Sequence, residues 1–220
     1  MASSLGIYFG PRIVSVVESD GKKIIKTINV AIPKDASSDE QKVPEEIKIT
    51  TVLRDEFLKQ GITTKDANIC ISGKDLVVRS FNMAALPANE MVQAVKFEAK
   101  KYTPFRIDEM VSDYQHIYER MTKSNFVLFV GIKKDVLNRY LYVLKHLSLN
   151  LSSVEYSAFS TLRLLNVSGV KEAGVVAVLN VELMEEDEVN FLVLENNFPL
   201  FARDILMSGS ETAGAASVDG

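Results

Sequence analysis

A group of three strand-like segments occurs twice in this chain, and this repeat limits the folds that the chain can adopt. The first copy comprises residues 5–9, 13–18 and 24–32, and the second comprises residues 174–181, 188–195 and 198–202. Apolar and β-branched residues fill each segment, and turn-forming residues separate the segments. Because the copies start about 170 residues apart, the pattern predicts a duplicated fold with one three-strand meander in each of two lobes.

Four helices are predicted between the two copies, because apolar residues recur there at helical spacing. The first ends at Gly61, the second opens near Asn89 and closes before Pro104, the third carries residues 137–147, and the fourth covers residues 158–165 with Ser157 as its cap. Strand patterns occupy residues 68–72, 76–81, 111–118, 126–132 and 151–155. We expect the first two of these strands to form a hairpin.

The composition is that of a globular chain that can bury a sizeable core, with 220 residues of which 47% are hydrophobic. The net charge is −4 and the basic residues are scattered, which argues against nucleic acid as a partner. One cysteine and two histidines exclude a structural zinc site of Cys and His ligands and fit a reducing compartment. No apolar run reaches the roughly 20 residues that a membrane-spanning helix needs.

None of the reactive side chains lies in a pattern that predicts catalysis or metal binding. Cys70 stands between two isoleucines in a strand pattern and is interpreted as a small core residue. His116 and His146 have no ligand partner at a suitable spacing. Residues 72–74 resemble the end of a P-loop, but the glycine that should precede Gly73 by five positions is absent. We therefore predict no catalytic, cofactor-binding or metal-binding residue.

Longer and more specific motifs lie in the middle of the chain and near its end. They are VRSFNMAALP at residues 78–87, AVKFEAKKYTPF at 94–105, IDE at 107–109 and FPLFARDI at 198–205. These motifs, in this order, resemble the PilM family of actin-like cytoplasmic proteins in type IV pilus assembly. The resemblance extends from Leu5 to Ile205.

This resemblance implies an α/β, actin-like fold with ribonuclease H-like lobes and a small α+β subdomain inserted in the first lobe. It assigns residues 1–61 to the first part of lobe 1, 62–118 to the inserted subdomain, 119–166 to the remainder of lobe 1 and 167–207 to the start of lobe 2. Lobe 2 is then expected to be incomplete, because a PilM protein continues beyond this point. Residues 208–220, rich in Gly, Ala and Ser, are predicted to be a disordered tail.

Two turns depart from the nucleotide-binding pattern of actin-like proteins. In that pattern an acidic residue orients a magnesium-bound water, and a glycine lets backbone amides approach phosphate. Here Tyr8 takes the acidic position of the first turn, and Pro11 removes an amide donor. In the second copy Asn180 and Glu182 replace Asp and Gly, and further acidic residues follow within 185–188. We therefore predict that no nucleotide cofactor binds.

The resemblance implies a non-catalytic scaffold rather than an enzyme. Such a scaffold belongs to a type IV pilus or to a type II secretion platform, whose protein GspL has a similar actin-like cytoplasmic part. The alternative is an ATP-binding actin-like switch with slow ATPase activity. The two hypotheses differ at the turns described above, where the scaffold tolerates Tyr8 and Asn180 and the switch does not.

The implied partner is the cytoplasmic N-terminal peptide of a PilN-like inner-membrane protein, together with other proteins of the pilus or secretion platform. In the family this peptide docks in a groove beside the inserted subdomain, where an extended chain needs apolar pockets. The candidate partner-binding residues are Arg79, Tyr102 and Phe105. The protein is expected in the cytoplasm at the periphery of the inner membrane, reaching the membrane only through a partner or through C-terminal sequence absent here.

Overall fold

The computed structural model describes residues 3–10, 12–33, 43–72, 76–169, 174–182, 187–196 and 198–207. The described residues form eleven strands, four α-helices and one short 3-10 helix, Ile107–Glu109. The strands are β1 (Ser4–Phe9), β2 (Ile13–Ser19), β3 (Ile24–Ala31), β4 (Asp66–Ile71), β5 (Leu76–Ala84), β6 (Met110–Glu119), β7 (Ser124–Lys133), β8 (Asn150–Tyr156), β9 (Val175–Glu182), β10 (Asp187–Glu195) and β11 (Phe198–Met207). The helices are α1 (Glu45–Gln60), α2 (Ala88–Ala99), α3 (Lys134–His146) and α4 (Ser157–Val167).

The first lobe is built on a five-stranded sheet in the order β3-β2-β1-β4-β8. β1, β2 and β3 form an antiparallel meander, and β4 and β8 extend it as parallel strands. Alternate residues of β1, namely Leu5, Ile7 and Phe9, are buried in one cluster with apolar side chains of α1 and α3. The opposite face of β1 carries Gly6 and Tyr8 and borders a cleft.

The first helix is explained by its sequence at both ends. Glu45 and Glu46 lie in its first turn, where negative charge interacts favourably with the helix dipole. Gly61 follows its last residue with a φ of 64°, in the left-handed region that favours glycine. The predicted end of the helix at Gly61 is therefore confirmed.

A second sheet, in the order β5-β7-β6, is antiparallel throughout. α2 covers one face of this sheet with Met91, Val95 and Ala99. These side chains pack against Val77, Phe81, Val127 and Phe129 of the sheet. The predicted apolar stripe of this helix is confirmed.

The predicted hairpin between residues 68–72 and 76–81 is wrong. β4 instead pairs in parallel with β1 in the first lobe, where Ile69 lies opposite Ile7. β5 pairs with β7, which the sequence had assigned to the remainder of lobe 1. Short apolar strands that are adjacent in sequence look alike whether they pair with each other or with distant strands, so local patterning did not separate these cases.

The corrected pairing changes the limits of the inserted unit. A boundary at residue 118 would separate β7 from both of its partners, β5 and β6. A boundary at residue 62 would place β4 outside the sheet to which it is hydrogen-bonded. We therefore propose that the inserted subdomain comprises residues 76–133.

The third sheet, in the order β11-β10-β9, repeats the meander of the first lobe. Both predicted meanders are thus confirmed. One face of this sheet packs through Leu192, Leu194 and Ala202 onto Tyr156 and Ala158 of the first lobe. The predicted tail, residues 208–220, lies outside the described residues.

The start of α4 differs from its prediction. Ser157 is the first residue of the helix, preceded by Tyr156, and no side chain caps this end. The Ser157 hydroxyl is buried and has no hydrogen-bond partner in the described part of the chain. Within the same described ranges, no helix is both long and apolar enough to cross a bilayer.

Candidate partner-binding groove and central cleft

A groove of about 170 Å³ lies between the inserted sheet and the first lobe. β6 and β7 supply one wall, and β8 with the start of α4 supplies the other. The lining residues are Asp113, Tyr114, Gln115, Leu128, Val130, Val154, Glu155, Tyr156 and Phe159. Most of the lining is apolar or aromatic, and the two carboxylates belong to Asp113 and Glu155.

Both walls of the groove contain an outermost strand. Among the described strands, β6 is the last of the inserted sheet and β8 is the last of the first-lobe sheet. Each therefore has backbone N–H and C=O groups along one side that no strand of these sheets pairs with. Such edges accept an extended peptide by backbone hydrogen bonds, while neighbouring pockets select its side chains.

The charges at the groove are partly satisfied within the protein. The Glu155 carboxylate accepts a hydrogen bond from Ser160 at 2.7 Å and forms an ion pair with Arg163. The Asp113 carboxylate accepts a hydrogen bond from the backbone N–H of Tyr114 at 2.8 Å. Asp113 is exposed, so it is the carboxylate better placed to meet a positive charge on a ligand.

The three predicted partner-binding residues lie together, but on the other face of the inserted sheet. Arg79 donates from Nε to the backbone carbonyl of Tyr102 at 3.2 Å and from a terminal nitrogen to the carbonyl of Val78 at 2.8 Å. The Tyr102 ring stacks on Phe81 with its centroid 5.5 Å away and is 43% exposed. None of the three lines the groove between the two walls.

Phe105 is more enclosed than Tyr102. Its side chain is partly buried against the cluster that α2 forms with the inserted sheet. The Lys133 ammonium lies 5.2 Å from the centre of its ring, which is a cation–π distance. Phe105 therefore contributes to the packing of the subdomain, and Tyr102 offers more surface to a partner.

Charged pairs surround this surface at the end of α2. The hydrogen bond that Lys101 donates to Glu98 at 2.7 Å raises the pKa of the Lys101 ammonium. The hydrogen bond from Arg106 at 2.7 Å lowers the pKa of the Asp108 carboxyl. These pairs are exposed, so they shape the local charge more than they stabilise the fold.

A larger cleft, of about 580 Å³, separates the two lobes. Side chains of β1, β2, β4, β8 and α4 line it from the first lobe, and Asn180 and Asn190 line it from the second. The Tyr8 hydroxyl is 3.0 Å from the hydroxyl of Ser72. The predicted departure at Pro11 and the acidic residues Glu185 and Glu186 lie outside the described residues, as do the side chains of Glu182, Asp187 and Glu188.

Cys70 and His146, two of the other residues considered for chemistry, contact neighbouring side chains of the protein. Cys70 lines the cleft, and its sulfur lies 3.3 Å from the hydroxyl oxygen of Ser160, whose proton is donated to Glu155. The His146 ring stacks on Tyr142 with a centroid separation of 3.8 Å. The described part of the chain contains no group of three or more His, Cys, Asp or Glu side chains that could hold a metal ion.

A groove beside the inserted subdomain was expected, but the residues that line this one escaped prediction because they carry no local signal. Tyr114 and Tyr156 are ordinary strand residues, and Phe159 is one of several apolar residues in α4. They form one site only because β6 and β8, which belong to different sheets, line the same groove. A search for two unpaired strand edges would have needed the strand order, which local sequence does not contain.

The family model described as "Type IV pilus assembly protein PilM" matches residues 9–215. A chain of the solved PilM-PilN type IV pilus biogenesis complex superposes with a TM-score of 0.77 at 21% identity, covering 94% of this chain and 62% of that one. A search of curated protein sequences finds no significant match.

A second solved structure is the cytoplasmic domain of EpsL, an inner-membrane component of the type II secretion system of Vibrio cholerae. It superposes with a TM-score of 0.56 at 10% identity, covering 93% of this chain and 71% of that one. At these identities the two structures establish the likeness of the folds alone. The chain spans 62% of the length of the chain it matches in the PilM-PilN complex.

Proposed function

Because this chain belongs to the PilM family of type IV pilus assembly proteins and shares the α/β fold of a chain in the solved PilM-PilN complex, we propose that it is a non-catalytic, actin-like scaffold that binds a membrane partner. The partner is the cytoplasmic N-terminal tail of a PilN-like inner-membrane protein. The scaffold then lies in the cytoplasm at the inner membrane and reaches the membrane through that tail. Other proteins of the pilus or secretion platform bind elsewhere on it.

One observation supports this function more than any other: the groove bounded by the edges of β6 and β8. An extended tail can add to either edge by backbone hydrogen bonds, which needs no particular tail sequence. The pocket formed by Leu128, Val130 and Tyr156 then accepts an apolar side chain of the tail. Tails without such a side chain are expected to bind weakly, because the backbone bonds alone replace bonds to water.

The surface at the end of α2 is a second contact candidate for the same tail. Tyr102 offers an exposed aromatic ring, and Arg79 donates a hydrogen bond to the backbone carbonyl of Tyr102. Phe105 packs beneath this surface, against the apolar cluster that α2 forms with the inserted sheet. A tail long enough to leave the groove reaches this surface only by passing around the inserted sheet, so the two surfaces can be tested separately.

The test measures binding of a synthetic peptide with the N-terminal cytoplasmic sequence of a PilN-like membrane protein. Val154 lines the groove and is 41% exposed, so Val154→Asp places a charge in an apolar site without disrupting the core. We expect this change to weaken binding about tenfold or more, because a charge loses water in the filled groove. Val92→Asp is the matched control on α2, since Val92 is 48% exposed and lies outside the groove.

Calorimetric titration distinguishes the outcomes. Equal affinities of wild type and Val154→Asp for the peptide would show that the tail does not bind in the groove. If Tyr102→Ala loses affinity for the peptide while Val154→Asp keeps the wild-type affinity, the tail binds at the end of α2 and not in the groove. Absence of binding to the wild-type chain would contradict the proposed function itself.

The second candidate function is an ATP-binding switch with slow ATPase activity. The cleft of about 580 Å³ favours it, since side chains of both lobes line this space. Tyr8 argues against an ATP-binding function, because it places a hydroxyl where a carboxylate would orient a magnesium-bound water. We place the scaffold first because the described part of the cleft presents no unpaired carboxylate at this position.

A further inference from the structure

We propose that the tail-binding groove is coupled to the second lobe through the side chain of Tyr156, so that filling the groove orders that lobe. This inference rests on the proposed function and adds its regulation. Tyr156 ends β8 and precedes α4, at the junction between the groove and the second lobe. Its ring lines the groove, is 4% exposed, and packs edge-on against Phe159 with 5.6 Å between the centroids.

The hydroxyl of the same side chain reaches the second lobe. It donates a hydrogen bond to Oδ1 of Asp204 in β11 at 3.1 Å. The same carboxylate oxygen accepts a hydrogen bond from Nδ2 of Asn190 in β10 at 2.9 Å. Asn190 in turn accepts from Nδ2 of Asn180 in β9 at 2.9 Å. One side chain of the first lobe is therefore tied to all three strands of the third sheet.

Apolar packing accompanies this chain of hydrogen bonds. Tyr156 belongs to the cluster in which Leu192, Leu194 and Ala202 of the second lobe are buried. The ring thus has the groove on one side and the second lobe on another. A change in the position of the ring is transmitted to the third sheet through both contacts, because closely packed side chains cannot move independently.

A bound tail would cover the groove end of this network and exclude water from it. Hydrogen bonds to the Asp204 carboxylate are then strengthened, because electrostatic interactions gain in strength where water is absent. The second lobe is consequently held more firmly against the first when the groove is filled. By linkage, loosening the network lowers the affinity of the groove for the tail by the same factor.

Hydrogen exchange of the full chain, with and without the synthetic tail peptide, tests the coupling. In wild type we expect saturating peptide to slow exchange of the amides in β10 and β11 by about threefold or more. Tyr156→Phe keeps the ring in the groove and removes only the hydroxyl. In this variant we expect the slowing to disappear and the peptide affinity to fall about threefold to tenfold, the range for one net hydrogen bond.

A second variant acts from the other side of the network. Asp204 does not line the groove, so Asp204→Asn changes no contact with the peptide. It retains one neutral acceptor but loses the charge that strengthens both hydrogen bonds, and we expect a smaller loss of affinity in the same direction. Tyr118→Phe is the matched control, because it removes the hydroxyl of an exposed tyrosine of β6 that does not line the groove.

The outcomes separate the coupling from the proposed function. If the peptide binds wild type but leaves exchange in β10 and β11 unchanged, the groove is a binding site without coupling and the inference is overturned. The same follows if Tyr156→Phe behaves as Tyr118→Phe does. If the peptide does not bind wild type, the proposed function fails and the inference fails with it. Thermal melting of each variant shows whether it is folded before binding is measured.

Discussion

The side-chain amide of Asn180 donates to the side-chain oxygen of Asn190 at 2.9 Å, and the two residues are directly opposite each other on β9 and β10. In the first meander the corresponding opposite pair is Tyr8 and Ser15. All four side chains line the cleft between the lobes. The two halves of the duplicated fold thus present neutral polar groups to the same cleft.

We expect this chain to bind no magnesium-ATP in the micromolar range. Neither Tyr8 nor Asn180 supplies the carboxylate that orients a metal-bound water, and Tyr8 already interacts with Ser72. Calorimetric titration of magnesium-ATP into the purified chain checks this expectation. A dissociation constant in the low micromolar range would contradict it and would favour the switch hypothesis.

Tyr102 and Phe105 are expected to respond differently to truncation. Phe105→Ala removes a partly buried ring from the α2 cluster, and we expect it to lower the free energy of unfolding by about 2 kcal/mol. Tyr102→Ala removes an exposed ring that stacks on Phe81, and its cost should be nearer 1 kcal/mol. Urea unfolding measures both.

Binding of the tail peptide assigns these two residues a role. A folded Phe105→Ala variant with unchanged affinity places Phe105 in the core alone. If Tyr102→Ala also binds as wild type does, the end of α2 is not a partner surface. Truncation of a true anchor typically costs at least about 2 kcal/mol of binding free energy, which is readily measured.

Gly131→Ala is expected to destabilise the inserted subdomain by about 1–3 kcal/mol. A Cβ added to Gly131 would lie 2.6 Å from Cε of Met110 and 3.1 Å from the ring of Phe129, which is buried. Gly6→Ala is the matched control, since no atom lies within 4 Å of its added Cβ on β1. Equal stabilities of the two variants in urea would show that Met110 and Phe129 repack without cost.

Asp108 is expected to titrate below its usual range in the folded chain, because it accepts a hydrogen bond from Arg106. Its contribution to stability is present above the unfolded pKa of about 3.9 and is lost as the pH falls through the lower folded pKa. Arg106→Ala should raise the folded pKa of Asp108 in a carboxyl NMR titration. Glu56 is the internal control, because its lowered pKa arises first from Gln60 and should not change.

The outer face of the third sheet is expected to bind apolar dyes or to self-associate. Leu179 on this face is 63% exposed, whereas Ile7, at the matching position of the first meander, is 1% exposed beneath α1 and α3. Val181 and Phe201 extend the same exposed apolar surface. Leu179→Lys should reduce dye fluorescence and sedimentation of larger species. An unchanged sedimentation profile, together with absent dye binding in wild type, would contradict this expectation.

Local sequence determined the elements that depend on neighbours along the chain. Gly61 ends α1 because its conformation favours glycine, and Met91, Val95 and Ala99 define the buried side of α2 because they recur at helical spacing. The duplicated meander was also visible, since each hairpin joins strands that are adjacent in sequence. The motifs from residues 78 to 109 identified the family for the same reason: they are contiguous.

Tertiary structure decided which strands share a sheet and therefore where the groove lies. β4 joins β1, and β7 joins β5 and β6, through pairings between distant residues that periodicity does not encode. Among the described strands, β6 and β8 each have one edge that pairs with no other strand, and such an edge is known only once the strand order is known. The hydrogen bond from Tyr156 to Asp204 joins residues 48 positions apart, and only the packing of the second lobe against the first brings these two side chains together.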